Sequence, residues 1–239
     1  MQLMISVVNA EEAQEALKGG AHILDVKNPA EGSLGAQNPV VIRQIKQLAS
    51  GQAQVSAAIG DLPQLPGTAA LAALGAAVCG VDFVKVGLHG AKTPAEAIAL
   101  LKEVKRATGE LPAIIIAGGY ADFERAGTLD PKFLPGIAAA AGVGGCLVDT
   151  AIKDGKTLFD FFDLEQVRAL AEEAHCAGLI CAVAGALREK DLPEVVRSGA
   201  DVVGVRTAAC QDNRRNGPLE EDRVRRLLAA IKPPLPTQR

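Results

Sequence analysis

Four segments of this chain share one frame. They read GAHILDVK from Gly20, GVDFVKVG from Gly80, GVGGCLVD from Gly142 and GADVVGVR from Gly199. Each opens on glycine and carries valine six residues later, at Val26, Val86, Val148 and Val205. The starts lie 60, 62 and 57 residues apart, which leaves room for two strand–helix units each time. A fixed period of this kind marks a repeated supersecondary unit. Four more apolar runs fall between the segments: LMISVV, AQVSAAIG, PAIIIAGG and LICAVAG. Stretches rich in Ala, Leu, Glu and Lys separate most of the runs with helical periodicity, among them Ala10–Gly19, Pro94–Ala107 and Leu164–Ala177. Eight strands alternating with helices in 239 residues predict a single (β/α)8 TIM barrel. An open doubly wound sheet is the rival, but a fourfold repeat suits closure better. The barrel is expected over residues 1–231, with a flexible C-terminal tail over 232–239.

The frame also carries charge where a buried strand should have none. In HILDVKNP, Asp25 and Lys27 sit among Ile23, Leu24 and Val26. Strand residues two apart share a face, and ion pairs in a buried strand are costly unless something offsets their desolvation. The same two frame positions hold Lys85 and Gly87, Leu147 and Asp149, and Gly204 and Arg206. All have one parity and come from the second, fourth, sixth and eighth strands. Barrel interiors are layered from alternate strands, and the active site lies at their C-terminal ends. Asp25, Lys27, Lys85, Asp149 and Arg206 are therefore expected to converge at one mouth.

Such a cluster has a chemistry. A lysine amine is nucleophilic only when neutral, and burial beside a second cation lowers its pKa. Of Lys27 and Lys85, one can form a Schiff base with an aldehyde while the other moves protons, with Asp25 and Asp149 orienting the amines. Lys153 and Lys156 follow the sixth strand in TAIKDGKTLFDFF; KDG reads equally well as an ordinary polar turn. The loops after strands seven and eight, Ala184–Asp191 and Arg206–Gly217, are where this fold commonly binds phosphate. Gly185 and Arg206 are the candidates, glycine for close backbone approach and arginine for charge. The competing structural role for Arg206 is an ion pair with Asp149.

The bulk numbers exclude other classes. A net charge of −3 and a pI near 5.7 give no general attraction to nucleic acid or anionic membrane. Six Phe, one Tyr and no Trp leave no base-stacking platform. Small-molecule substrates are the expected partners, and a homo-oligomer is compatible with the sequence. The N-terminus has no basic region before its short apolar run, so a signal peptide is not expected. Ala69–Val81 is too short and too rich in Ala and Gly to span a bilayer and reads as a buried helix. Five cysteines without CxxC spacing read as reduced thiols in a cytoplasmic protein. GLHGAKT has the wrong spacing for a phosphate-binding P-loop. His22, His89 and His175 have no metal-ligand spacing, so neither metal nor cofactor is expected.

With these residues in place, the sequence resembles the (5-formylfuran-3-yl)methyl phosphate synthase family, also called 4-(hydroxymethyl)-2-furancarboxaldehyde-phosphate synthase. The likeness runs nearly the whole chain. Its most specific pieces are DVKNPAEGSLGA (Asp25–Ala36), FVKVGLHG (Phe83–Gly90), GYAD (Gly119–Asp122), DTAIKDGKTLFDF (Asp149–Phe161) and VGVRTAAC (Val203–Cys210). The resemblance implies a TIM-barrel lyase that joins two molecules of glyceraldehyde 3-phosphate, with loss of phosphate and water, into the furan precursor of methanofuran. It implies Lys27 as the Schiff-base lysine, Lys85 as proton acceptor, and Asp25, Asp149 and Lys153 as supporting residues. His89 and the 211–216 loop depart from the family pattern. Two alternatives stand beside it: another Schiff-base aldolase or triose-phosphate enzyme on the same barrel, and a sugar-phosphate-binding barrel without catalysis.

Overall fold

The computed structural model describes residues 1–232. Eight parallel strands close into a barrel in sequence order: β1 (Gln2–Val7), β2 (Ile23–Val26), β3 (Gln54–Asp61), β4 (Phe83–Gly87), β5 (Ile114–Tyr120), β6 (Gly145–Asp149), β7 (Ile180–Val183) and β8 (Val202–Val205). The four framed segments supply the even strands, and the four intervening runs supply the odd ones. Around them lie α1 (Ala10–Lys18), α2 (Pro39–Ala49), α3 (Pro66–Ala77), α4 (Pro94–Thr108), α5 (Phe123–Ala126), α6 (Leu134–Ala141), α7 (Leu164–Cys176), α8 (Leu192–Ser198) and α9 (Glu221–Ala230). The expected tail, Lys232 apart, lies outside the described residues. No described helix is long and apolar enough to cross a membrane.

The glycine that opens each framed segment has a physical cause. Gly20, Gly80, Gly142 and Gly199 all have positive φ, between 68° and 87°. Each turns the chain out of a helix and into the next strand in a left-handed conformation that L side chains resist. Helix starts are written equally locally. Thr93 and Glu96 form a reciprocal capping box on α4, and Asp163 and Gln166 form another on α7.

The core has two layers. Between sheet and helices lie Leu3, Val26, Ile42, Val84, Leu100 and Val148. Inside the barrel lie Met4, Ile23, Ala58, Phe83, Ile116, Leu147 and Val202, the residues of opposite parity. Ala69–Val81 is a correction to the sequence reading: α3 forms, but it is not buried all round. Ala69, Ala73, Ala76 and Ala77 are buried, whereas Leu71 is 74% exposed and Val78 62%. The small side chains face inward, where a helix of the outer ring packs closely on the sheet, so high apolar content here does not mean burial on every face.

Candidate active site

Strand parity brings the predicted charges together. Asp25, Lys27, Lys85, Asp149, Lys153, Gly185 and Arg206 all line one pocket at the C-terminal mouth. Register explains the convergence: Asp25 lies opposite Ser6 on β1 and Ser56 on β3, and Lys85 opposite Ala58 and Ile116. Lys27 is only 5% exposed and Lys85 3%. Both side chains end inside the barrel and do not snorkel to solvent.

The acids divide the lysines into two pairs and leave one over. Lys85 Nζ is 2.6 Å from Asp25 Oδ1, an ionic contact, while Ser6 Oγ donates to Asp25 Oδ2 at 3.0 Å. Lys153 Nζ donates to Asp149 Oδ1 at 2.6 Å and to Thr150 Oγ1 at 2.9 Å. Lys27 Nζ has a neutral acceptor, the Ser33 carbonyl at 3.2 Å. Burial pulls the Lys27 amine down to about 7; the Asp149 and Asp25 carboxylates oppose this, and Lys85 and Lys153 add to it. Burial would raise the Asp149 carboxyl, but the Lys153 and Lys27 ammoniums outweigh it and hold it well below the usual carboxylate range. An amine that is neutral in a substantial fraction near pH 7, beside fixed charge pairs, is the arrangement an imine-forming lysine requires.

Sequence reasoning missed the group that holds Lys27's acceptor. In the segment after β2, Leu34 is buried with the residues inside the barrel. Asp61, at the end of β3, accepts the Ser33 N–H at 2.8 Å and the Leu34 N–H at 3.3 Å on Oδ2, and the buried Tyr120 hydroxyl donates to its Oδ1. Ser33 Oγ donates to the Thr150 carbonyl at 2.8 Å. Gly87 leaves the space these groups occupy, since a Cβ there would come within 2.8 Å of both Asp61 Oδ1 and the Tyr120 hydroxyl. Asp122, in the GYAD segment, likewise pins the loop after β6 by accepting the N–H groups of Ala151 at 2.6 Å and Ile152 at 2.9 Å. One signal was available: Tyr120 is the chain's single tyrosine, and it closes a strand.

Gly185 sits at the end of β7 with φ of 113°, a turn that suits glycine. Arg206 reaches the mouth but does not pair with Asp149. Its guanidinium is bidentate with Glu12 of α1, at 2.7 and 3.1 Å. It also donates from Nη1 to the Ser6 carbonyl at 3.0 Å and from Nε to the Arg215 carbonyl at 2.9 Å. Four of its five N–H donors are thus engaged. Lys156 lies near the Phe161 ring, 5.7 Å from its centroid, away from the lysine cluster.

Comparison with known proteins gives the chain its family. Residues 3–228 match the family model described as 4-HFC-P synthase. The (5-formylfuran-3-yl)methyl phosphate synthase of Methanopyrus kandleri is 49% identical over 96% of this chain and 98% of that protein. The enzyme of the same name from Methanocaldococcus jannaschii is 46% identical over 97% of this chain and 100% of its own length. Among solved structures, 3-hexulose-6-phosphate synthase from Salmonella typhimurium superposes with a TM-score of 0.65 at 15% identity, covering 97% of this chain and all of that one. Thiamine phosphate pyrophosphorylase from Pyrococcus furiosus gives 0.63 at 16% identity, covering 96% of this chain and 94% of that one. At such identities the likeness concerns the barrel alone. The near full-length match to the family model and to these relatives makes the chain an enzyme that belongs to the (5-formylfuran-3-yl)methyl phosphate synthase family.

Proposed function

We propose that this enzyme condenses two molecules of glyceraldehyde 3-phosphate into (5-formylfuran-3-yl)methyl phosphate through a Schiff base on Lys27. The atoms balance with one inorganic phosphate and two waters released. The observation that carries the reading is the buried Lys27 amine, held near neutrality between the Lys85–Asp25 and Lys153–Asp149 pairs. Lys27 attacks the aldehyde carbon, and loss of water gives the imine, an electron sink. Lys85, once its own proton has passed to Asp25 across their 2.6 Å contact, takes the adjacent proton, and the β-phosphate departs. The carbon that lost phosphate then bonds to C2 of the second triose, reacting as its enediol. Two dehydrations close the furan ring with the phosphomethyl group at position 3, and hydrolysis of the imine frees Lys27. Asp149 and Lys153 supply charge and protons to the dehydrations.

The phosphate kept in the product belongs on the β7–β8 side of the mouth, against the Gly185 backbone and the remaining N–H of Arg206. The product is the precursor of methanofuran in this reading, and the imine does the work a Lewis acid or redox cofactor would otherwise do. Incubation of the pure protein with glyceraldehyde 3-phosphate alone tests it. Formation of a furan aldehyde absorbing in the near ultraviolet, with the expected mass and one phosphate released per product, supports the reading. Dihydroxyacetone phosphate or an aldol as the sole product would replace it with the isomerase or aldolase alternative.

A further inference from the structure

The loop after β8 holds a second arginine with a different fate from Arg206. The loop is braced internally: Cys210 bridges Leu219, Gln211 N donates to the Pro218 carbonyl at 2.8 Å, and Gly217 N to the Arg214 carbonyl at 2.8 Å. The Arg215 carbonyl receives Arg206 Nε at 2.9 Å, and Arg206 is itself fixed by Glu12. The backbone of Arg215 is therefore anchored through a buried ion pair. Its side chain runs inward and lines the mouth pocket with Lys27 and Asp149. It also lines a wider cleft outside, about 590 Å³, with Lys153, Arg188, Lys190, Arg223 and Glu189.

Two features set Arg215 apart among these cations. Lys153 is bound to Asp149 and Thr150, and Arg223 to Glu220 and Asn213. Arg215 Nη2 is buried and has no hydrogen-bond partner among the described residues. A desolvated guanidinium N–H without an acceptor is unfavourable, and an anion relieves it. Size points the same way. The inner pocket holds about 20 Å³, room for roughly one water-sized group, whereas the outer cleft takes a tetrahedral oxyanion with ease. Arg215 stands at the throat between them.

We propose that Arg215 is the clamp for the terminal phosphate monoester of the aldehyde whose carbonyl sits at Lys27. The inner pocket takes the reacting carbon, the outer cleft takes the phosphate, and the free guanidinium edge spans the throat. Arg206 acts as the strut behind it. This rests on the imine reading above and adds the residue that makes the site choose phosphorylated over plain aldehydes.

Borohydride trapping on Lys27 separates the two ideas. Wild type, Arg215→Met and Arg215→Lys are each titrated with glyceraldehyde 3-phosphate and with glyceraldehyde, and inorganic phosphate binding is measured by calorimetry. Arg215→Met should raise the half-saturating concentration of the phosphorylated aldehyde more than tenfold and move that of glyceraldehyde less than twofold. Arg215→Lys should fall between, and Arg215→Met should lose most inorganic phosphate binding. An unchanged preference in Arg215→Met, or an equal loss for both aldehydes, overturns the clamp. Should wild type trap neither aldehyde, the imine reading fails. The calorimetry then decides the clamp alone: phosphate binding unchanged in Arg215→Met overturns it, and binding lost supports it.

Discussion

Replacing Lys27 by methionine should abolish imine formation and make the protein more stable. The amine is buried, and its pKa falls from 10.5 to about 7. At ~1.4 kcal/mol per pH unit, that fall corresponds to roughly 5 kcal/mol of penalty on the charged form, an upper bound because buried sites relax. The sign follows from proton counts. Below pH ~7 Lys27 is charged in both folded and unfolded states, so the whole penalty weighs on the fold. Between about 7 and 10.5 only the unfolded chain carries the proton, so stability rises with pH and the penalty fades. Methionine fills similar volume without charge, and Asp25 and Asp149 keep Lys85 and Lys153 as partners. Urea denaturation of both proteins at pH 6.5, 8 and 9.5 measures the difference. Lys27→Met should be more stable by about 2–4 kcal/mol at pH 6.5, with the advantage shrinking at each step. Equal or lower stability at pH 6.5, or an advantage that does not change with pH, would refute the reasoning.

Asp149→Asn removes a carboxylate that supports the Lys27 ammonium, so the acid limb of borohydride trapping should move to lower pH. It also leaves Lys153 without its acid, at a cost of about 3 kcal/mol, measurable by urea denaturation. Arg206→Met strands the buried Glu12 and should cost about 3–5 kcal/mol, read as an earlier thermal transition. Tyr120→Phe takes the hydroxyl from Asp61 and should cost about 1–2 kcal/mol. Hydrogen exchange should show faster opening at the Ser33 and Leu34 amides, with α4 and α7 unaffected.

The barrel and the lysine cluster were legible because both are written in local periodicity. A strand's alternation fixes which residues share a face, and the repeat fixes which strands alternate, so Asp25, Lys27, Lys85 and Asp149 could be assigned to one mouth before any coordinates. Position along each strand was enough. The partners of those residues were not legible, for a definite reason. Glu12 meets Arg206 across 194 residues of sequence, Tyr120 meets Asp61 across 59, and Ser33 meets Thr150 across 117. These bonds join loops and helix starts that follow no period, and only closure of the barrel brings them together. Arg206 shows the consequence. Parity brought it correctly to the mouth but could not reveal that an acid on α1 would engage its guanidinium. Apolar content misled at α3 for a related reason, because an all-apolar stretch carries no record of which face meets the sheet.

The central claim is that Lys27 is the amine that meets the aldehyde. Borohydride reduction in the presence of glyceraldehyde 3-phosphate, followed by peptide mass mapping, tests it most directly. A stable added mass should appear on the peptide containing Lys27, with half-maximal trapping near pH 7, in keeping with the amine's position near neutrality, and Lys27→Arg should abolish it because a guanidinium is never a neutral nucleophile. Label on Lys85 with Lys27 clean, or undiminished labelling in Lys27→Arg, would contradict the account.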